Sequence, residues 1–311
     1  MQSVITITSP NRRLSAGWGR RWLRLLLVWI LIAGAKGSLG KKNPGIANPE
    51  LLIERASQNE VQALERPPEY EQYFERLEWN WGTETRAVIE TQEGRADRIV
   101  EFDGEPLAPD QFAKQTHRLE KLLTDRKAQK EELKEQRSEL RRRVRMMTAF
   151  PKAFLFEPDG DGPDGTLRFS FRPNPKFSPR DRETHVYRGM EGTVWVDPVE
   201  ERLTRIEGVL TKDVSFGWGI FGKLYKGGRY EIAQKQISPG VWRITKLDLN
   251  LRARVFLGGF HLLRNEQNND FERTPEEMTY GEAIKLLLKS PSGPARDRNS
   301  GRPGTMSGGS N

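Results

Sequence analysis

The sequence predicts a mainly β fold of the α+β class, in which an antiparallel sheet is covered by helices. Residues 241–257 are predicted to form one long strand, because 246–255 alternate strictly between polar or charged and apolar side chains, as expected for a strand with one wet side. Shorter alternating segments separated by turn residues occupy 70–102 and 150–274, which is typical of antiparallel strands. A sheet with one apolar face needs a cover, and helical patterns lie at 48–66 and 276–288.

A secretory signal peptide is predicted at residues 1–35. Five arginines precede the apolar run Leu25–Ala35, the run ends in small residues, and no acidic residue occurs before Glu50. These are the parts of a signal peptide, so we expect cleavage near Ala35 and export to the periplasm or cell envelope. A retained membrane anchor is the alternative, although a span needs about 20 apolar residues and this run is shorter.

Charge and composition exclude several classes of function. The 311 residues carry a formal charge of +8, and removal of five signal-peptide arginines without any acid would leave +3 (8 − 5). A small surplus on an exported protein favours contact with an anionic lipid or polysaccharide at a membrane surface, so no nucleic-acid partner is predicted. The absence of cysteine excludes disulfides, thiolate metal sites and a cysteine nucleophile.

One domain is predicted at 48–289, between a polar linker at 36–47 and a low-complexity tail at 290–311 that is expected to be disordered. Asn48 followed by Pro49 is typical of an N-cap and the first residue of a helix. Three antiparallel strands should follow within 70–102, and the long strand 241–257 should pair with a more polar last strand.

A long charged helix is predicted at 109–147, as an insertion in this domain. Its apolar residues share one seven-residue register, but Arg126 interrupts that register and the complementary positions are mostly polar, so a full coiled coil is not indicated. Two interpretations stay open. The helix either packs a narrow apolar stripe against the domain or binds a partner helix in another chain.

A glycine-rich segment at 217–223 has the spacing of a dinucleotide fingerprint and most of a P-loop. The residues after it, 229–237, alternate as a strand, where both motifs need a helix. Leu224 also stands where a P-loop needs Ser or Thr, so no phosphate site and no cofactor are predicted. What remains is an aromatic hairpin loop, either buried as a corner of the core or forming an apolar flap over a cavity or lipid surface.

Two acidic clusters do not form a convincing site. The segment EPDGDGPDG at 157–165 lacks the EF-hand spacing and is interpreted as a polar hairpin turn. Asp181, Glu183 and His185 would share one face of an extended segment, as a metal or acid–base site needs, but the sequence supplies no further ligand. We therefore predict no metal, no catalytic residue and no enzymatic activity, with an envelope hydrolase using Asp181 and Glu183 as the third-ranked function.

The segment 192–210 carries a resemblance to a known family. Val194-Trp195-Val196-Asp197-Pro198, a turn, and then Leu203-x-Arg205-Ile206-Glu207-Gly208 are similar to LolA-like outer-membrane lipoprotein-sorting proteins, closest to exported bacterial relatives of that group. The resemblance spans roughly 68–274. It implies a strongly curved antiparallel sheet, a half-open barrel, with helices covering an apolar hollow that holds acyl chains. RseB-like envelope-stress sensors share that shape.

The first-ranked function is therefore binding of a lipid, a lipoprotein acyl chain or another hydrophobic ligand in the hollow. The alternative is an RseB-like sensor or interaction protein that acts through its long helix. Expected partners are the hydrophobic ligand or lipoprotein, a membrane surface and a partner helix. The residues predicted to contact the ligand are Phe216, Trp218, Ile220, Phe221, Trp195, Leu247, Leu249, Leu251 and Val255.

A substitution at Trp218 tests the interpretation of the loop as a gate. Glycines around its aromatic residues give backbone freedom that a loop meant only for burial does not need. Trp218→Ala should then weaken lipid binding, measured by titration, and change the free energy of unfolding little. A loss of roughly 3–5 kcal/mol, typical of truncating a buried aromatic, would mean that the loop is core.

Overall fold

The computed structural model describes residues 48–66, 71–216, 222–255, 258–275 and 277–289. The predicted signal peptide, linker and tail lie outside the described residues, as do Trp218, Ile220 and Phe221 of the glycine-rich loop. Phe216 and Val255 lie in strands, and their side chains are also outside the description.

The described residues form thirteen strands and five α-helices, so the fold is mainly β with helices. The strands are β1 Glu71–Trp79, β2 Gly82–Glu90, β3 Arg95–Phe102, β4 Glu105–Pro106, β5 Phe154–Asp161, β6 Leu167–Pro173, β7 Met190–Asp197, β8 Arg202–Leu210, β9 Val214–Phe216, β10 Gly222–Leu224, β11 Arg229–Ser238, β12 Val241–Val255 and β13 Gly258–Arg273. The helices are α1 Pro49–Glu65, α2 Pro109–Thr124, α3 Arg126–Ala153, α4 Arg182–His185 and α5 Tyr280–Lys289.

The strands pair antiparallel throughout. Nine of them follow the order β4-β3-β2-β1-β13-β12-β10-β9, with β11 also on β12, and four follow β5-β6-β7-β8. The two groups meet where β8 runs beside β11: Leu210 N donates to Gly228 O at 2.9 Å, and Gly227 N donates to Leu210 O at 2.7 Å. Within the described residues β4, β5 and β9 are the free ends of these orders, so the sheet does not close on itself.

Alternation gives the sheet two differently covered faces. The inner face, which includes Leu77, Val194 and Leu251, packs against α1 and the carboxyl-terminal half of α3. On β1–β3 the outer face carries Phe74, Ala87 and Ile89, among others, and α2 and α5 cover it. The sequence prediction of an antiparallel sheet with helical covers is confirmed, and β12 has the predicted long alternating register. The prediction of a single apolar face is corrected on β1–β3, where the outer face is apolar as well.

The prediction of one helix over 109–147 is wrong, because two helices meet at Asp125. Asp125 has extended backbone, and its side chain accepts hydrogen bonds from Lys127 N at 2.9 Å and Ala128 N at 3.0 Å. A carboxylate that caps a new helix start in this way ends the preceding one. The second helix, α3, continues to Ala153 and includes Pro151.

Pro151 is tolerated in α3 because another element satisfies the group that it leaves unpaired. A proline cannot donate to the carbonyl four residues earlier, which here belongs to Met147. Ser57 Oγ of α1 donates to that carbonyl at 2.6 Å. The proline therefore creates an attachment point for α1 on α3.

Two other predicted boundaries change. The last helix begins at Tyr280 instead of 276, because Thr279 and Glu282 form a reciprocal cap: Thr279 N donates to Glu282 Oε2 at 2.8 Å and Glu282 N donates to Thr279 Oγ1 at 3.2 Å. The predicted extended segment around Asp181 and Glu183 is instead the short helix α4.

Phe150 is at the centre of the inner core. Its ring lies 5.4 Å from Phe154, 5.5 Å from Phe156, 5.9 Å from Phe171 and 6.4 Å from Tyr187, between ring centroids. Offset and edge contacts of this kind add to the burial of each ring. They fix the end of α3 on β5 and β6.

Phe150→Ala should therefore lower the free energy of unfolding by about 3–5 kcal/mol, the cost of emptying a buried aromatic site. Leu140→Ala is the control on the same helix, because that side chain is 37% exposed and should change stability by about 0.5 kcal/mol or less. Chemical denaturation of both variants measures the difference. Equal, small effects would show that α3 is not packed on the sheet at Phe150.

Candidate functional site

The predicted ligand-contacting residues on β12 lie in the packed core. Leu249 and Leu251 are buried on the inner face, and Leu247 is partly buried against the same cluster. They belong to the same buried cluster as side chains of α1 and α3, among them Leu52, Ile53, Ala56, Met146 and Phe150. The apolar face predicted from β12 is present, and it forms part of a core to which two helices contribute.

Trp195 does not join Leu249 and Leu251. Val194 and Val196 on either side of it belong to the inner core, so strand alternation points Trp195 to the outer face. There its ring lies 4.9 Å from the Arg205 guanidinium carbon, a cation–π contact. A Cβ on Gly162 would come within 2.4 Å of this ring, which shows that the β5–β6 turn packs directly on it.

Helix α1 is held over the inner face by one buried polar group, which we call the Glu60 cluster (Glu60, Arg202 and Gln234). Arg202 donates to both Glu60 carboxylate oxygens, at 2.8 and 2.9 Å, and Gln234 Nε2 donates to Glu60 Oε1 at 2.7 Å. Leu203 N adds a fourth bond at 3.0 Å. Glu60 and Arg202 are each 8% exposed, so their attraction and these hydrogen bonds must offset the hydration that both charges lose on burial.

The Glu60 cluster was missed in the sequence because its members come from three distant elements, α1, β8 and β11. No local pattern joins a helix residue to strand residues more than 140 positions later. Glu60 itself falls close to the apolar positions of α1, and an acid near an apolar helix face indicates a buried ion pair. That signal identifies Glu60 and not its partners.

A second buried charge group lies on the inner face of β1–β3. Arg95 donates to Glu75 with two bonds, at 2.9 and 2.6 Å, and Arg86 lies between Glu75 and Glu84, at 3.8 and 2.6 Å. Glu75 is 1% exposed. In the sequence it shares one strand face with Tyr73, Leu77 and Trp79, so its burial was predictable, whereas its partners were not.

The charges around Glu75 set its protonation state. Burial raises the pKa of this carboxyl, but the Arg95 guanidinium, its hydrogen bonds and the nearby Arg86 outweigh that effect and hold the pKa below its ordinary value. Tyr73 on the same strand has its pKa raised by burial and by Glu90. The pair formed by Glu75 and Arg95 is therefore ionised at neutral pH.

The two carboxylates proposed for the hydrolase alternative, Asp181 and Glu183, have structural partners. Asp181 Oδ1 accepts from Thr184 N at 2.8 Å as the cap of α4, and Glu183 pairs with Arg145 of α3 at 3.1 Å. His185 has its pKa lowered by burial and by Arg188. In the described residues no group of three or more acids and histidines is arranged to hold a metal ion.

A small cleft of about 230 Å³ lies beside α4. It is lined by His185, Arg188, Gly189, Lys212, Asp213, Val214 and Ser215. Asp213 pairs with Lys223 at 2.7 Å and accepts from Lys226 N at 2.8 Å. None of the residues that line the cleft is among the predicted acyl-binding residues.

Comparison with models of protein families, with curated proteins and with solved structures finds no match to this chain. The resemblance to LolA-like proteins thus depends on the residues named above. Of the helices in the described part of the chain, none combines the length and apolar composition required to span a bilayer.

The low pKa of Glu75 predicts a specific acid sensitivity. A carboxyl whose pKa is lowered by folding stabilises the protein above its unfolded pKa of about 4.3, and this contribution is lost as the pH falls through the lower folded pKa. Glu75→Gln should cost roughly 2 kcal/mol at pH 7, less than for a fully buried pair because the Arg95 side chain is 31% exposed. It should also flatten the fall in stability as the pH drops below the unfolded pKa of about 4.3.

Glu157→Gln is the matched control, since Glu157 and Arg172 form a pair with both side chains more than half exposed and such pairs contribute little. Urea denaturation across pH compares the two variants. An unchanged pH profile in Glu75→Gln would contradict the assignment of this acid sensitivity to Glu75.

Proposed function

We propose that this chain is an exported cell-envelope protein that binds an acyl chain, of a lipid or lipoprotein, between α1 and the inner face of the sheet. The half-open barrel that the LolA-like resemblance implies belongs to this proposal. The observation that carries it is how α1 is attached. This helix contributes few apolar side chains to the largest apolar cluster of the described residues, and its other attachments are polar bonds.

The apolar contribution of α1 is modest. Leu52, Ile53 and Ala56 are its side chains in the buried core, and burying a Leu or Ile contributes about 1.5–3 kcal/mol each. An acyl chain that replaced them would gain about 0.8 kcal/mol per buried methylene, so a chain of ordinary lipid length gains more than α1 loses. The comparison favours displacement of α1 by an acyl chain.

The polar attachments of α1 make its displacement reversible. Ser57 bonds the Met147 carbonyl, and Glu60 holds Arg202. When α1 lifts, both ions of the pair regain water, so the cost is smaller than removal of one partner from a buried pair. The same bonds re-form when the ligand leaves, and they return the helix to one position.

Cysteine chemistry tests this proposal directly, because the chain has no cysteine of its own. Ser57 is on the buried side of α1 and is 1% exposed, whereas Glu54 is on the exposed side of the same helix. In a Ser57→Cys variant, thiol labelling should be slow and should accelerate several-fold when a fatty acid is added. In the Glu54→Cys control, labelling should be fast and unaffected by the fatty acid.

Mass spectrometry of organic extracts from protein purified out of its own envelope gives an independent readout of bound acyl lipid. Extracts without acyl lipid, together with unchanged labelling of the Ser57→Cys variant, would overturn the proposal.

The exposed face of α3 supports a second candidate, the interaction or sensor protein. A deletion of residues 113–145 would remove most of the helical pair, but it would not test this role alone. Leu119, Leu122 and Leu133 lie in that range and pack in the outer cluster with α5, so the deletion would also damage the fold. A partner helix would need an apolar row to bury. Among the described residues of α3, Leu140 is the one exposed large apolar side chain, so the exposed face fits a charged partner better.

A further inference from the structure

We propose that α3 docks the protein on an anionic lipid surface through a cationic row on its exposed face. The row consists of Lys127, Lys130, Lys134, Arg137, Arg141 and Arg145, which are all exposed. At about 100° per residue, these six positions fall within an arc of about 80° on the helix. Arg126 and Lys152, also exposed, extend the row at its two ends within an arc of about 100°.

The row is uniform in charge and long. The other positions in the same arc are Val144 and Thr148, so no acid interrupts it, and Glu131 is the exposed acid next to its edge. At 1.5 Å per residue, the distance from Arg126 to Lys152 is about 39 Å. The buried side chains Met146 and Phe150 point to the opposite side, so packing on the sheet turns the row outward.

Most of these cations have no acidic partner in the protein. Arg145 pairs with Glu183 at 3.1 Å. In the parts of the chain that the structure describes, Lys127, Lys130, Lys134, Arg137 and Arg141 form no ion pair. Their mutual repulsion costs stability unless an external anion compensates it, which indicates a surface kept for binding and not for folding.

The shape of the row favours a lipid surface over a nucleic acid. A straight helix presents its cations along one line, which matches phosphate groups that lie in one plane. The arc contains no Asn, Gln or aromatic residue that could read a base edge or stack on a base. Its few apolar side chains also indicate contact with headgroups without insertion of the helix into the bilayer.

The test compares binding of the full chain to vesicles of phosphatidylglycerol with phosphatidylcholine and to vesicles of phosphatidylcholine alone, by co-sedimentation. Insertion of the apolar run Leu25–Ala35 would occur in both kinds of vesicle, and the five arginines before it also favour anionic vesicles, so the contribution of the cationic row is measured by comparing the variants below. The wild-type chain should partition more strongly to the anionic vesicles, and added salt should weaken this preference.

The variant Lys130→Gln/Lys134→Gln/Arg137→Gln keeps good helix formers and removes three charges. Each basic residue near an anionic surface contributes about a fivefold factor, so the triple variant should lose roughly 100-fold in partitioning to anionic vesicles. The matched control is Arg229→Gln/Lys235→Gln/Arg252→Gln, which removes three exposed charges from β11 and β12 and should lose much less.

Equal partitioning of the wild-type chain to both vesicles, or equal losses in the two triple variants, would overturn the proposal. Binding of a soluble polyanion such as heparin through the row, without binding of anionic vesicles, would overturn it in favour of that partner. The result is independent of acyl binding under α1, because the row lies on the side of α3 facing away from α1.

Discussion

The packing of α3 against both faces of the sheet is the constraint on which the rest of the structure depends. Its first half contributes Ala128 and Leu133 to the outer cluster, and its second half contributes Met146 and Phe150 to the inner core. Between them, Gln136 bonds both backbone groups of Arg95, at 2.8 and 2.9 Å. One helix thus passes from the outer to the inner side and fixes the two covers relative to each other.

This crossing requires a close approach at the β2–β3 turn. A Cβ on Gly94 would lie 2.5 Å from Leu133 Cδ2 and 2.7 Å from Gln136 Oε1, so any other residue at this position would force these two side chains of α3 to move. The same passage leaves the remaining face of α3 in solvent. The packing of α3 therefore explains why this face is exposed, and its cations are available to an external anion.

Charge is also used inside the sheet. The Glu60 cluster joins α1 to β8 and β11, and the pair of Glu75 with Arg95 joins β1 to β3. Buried pairs of this kind contribute little net stability compared with apolar packing, and removal of one partner is costly. On the apolar inner face they specify one position for α1 and one arrangement of β1–β3. This role is consistent with the proposed displacement and return of α1.

The alternation of β12 and the short strands around it were enough to predict an antiparallel sheet with an apolar face, because side-chain direction in a strand follows from local backbone geometry. The cap at Asn48 was also correct for the same local reason: its side chain accepts from Leu51 N at 3.1 Å. The break at Asp125 was missed, since a capping carboxylate and an ordinary charged helix residue have the same appearance in a charged sequence.

What covers the inner face was decided by tertiary structure alone. Leu249 and Leu251 have the same sequence pattern whether a ligand or a helix covers them. The direction of the Trp195 side chain follows only from the structure, in which its neighbours Val194 and Val196 are buried in the inner core. The partners of Glu60 and Glu75 come from strands far away in the chain, where no spacing rule applies. Local periodicity determines which side of an element is apolar, and only packing between elements determines what that side meets.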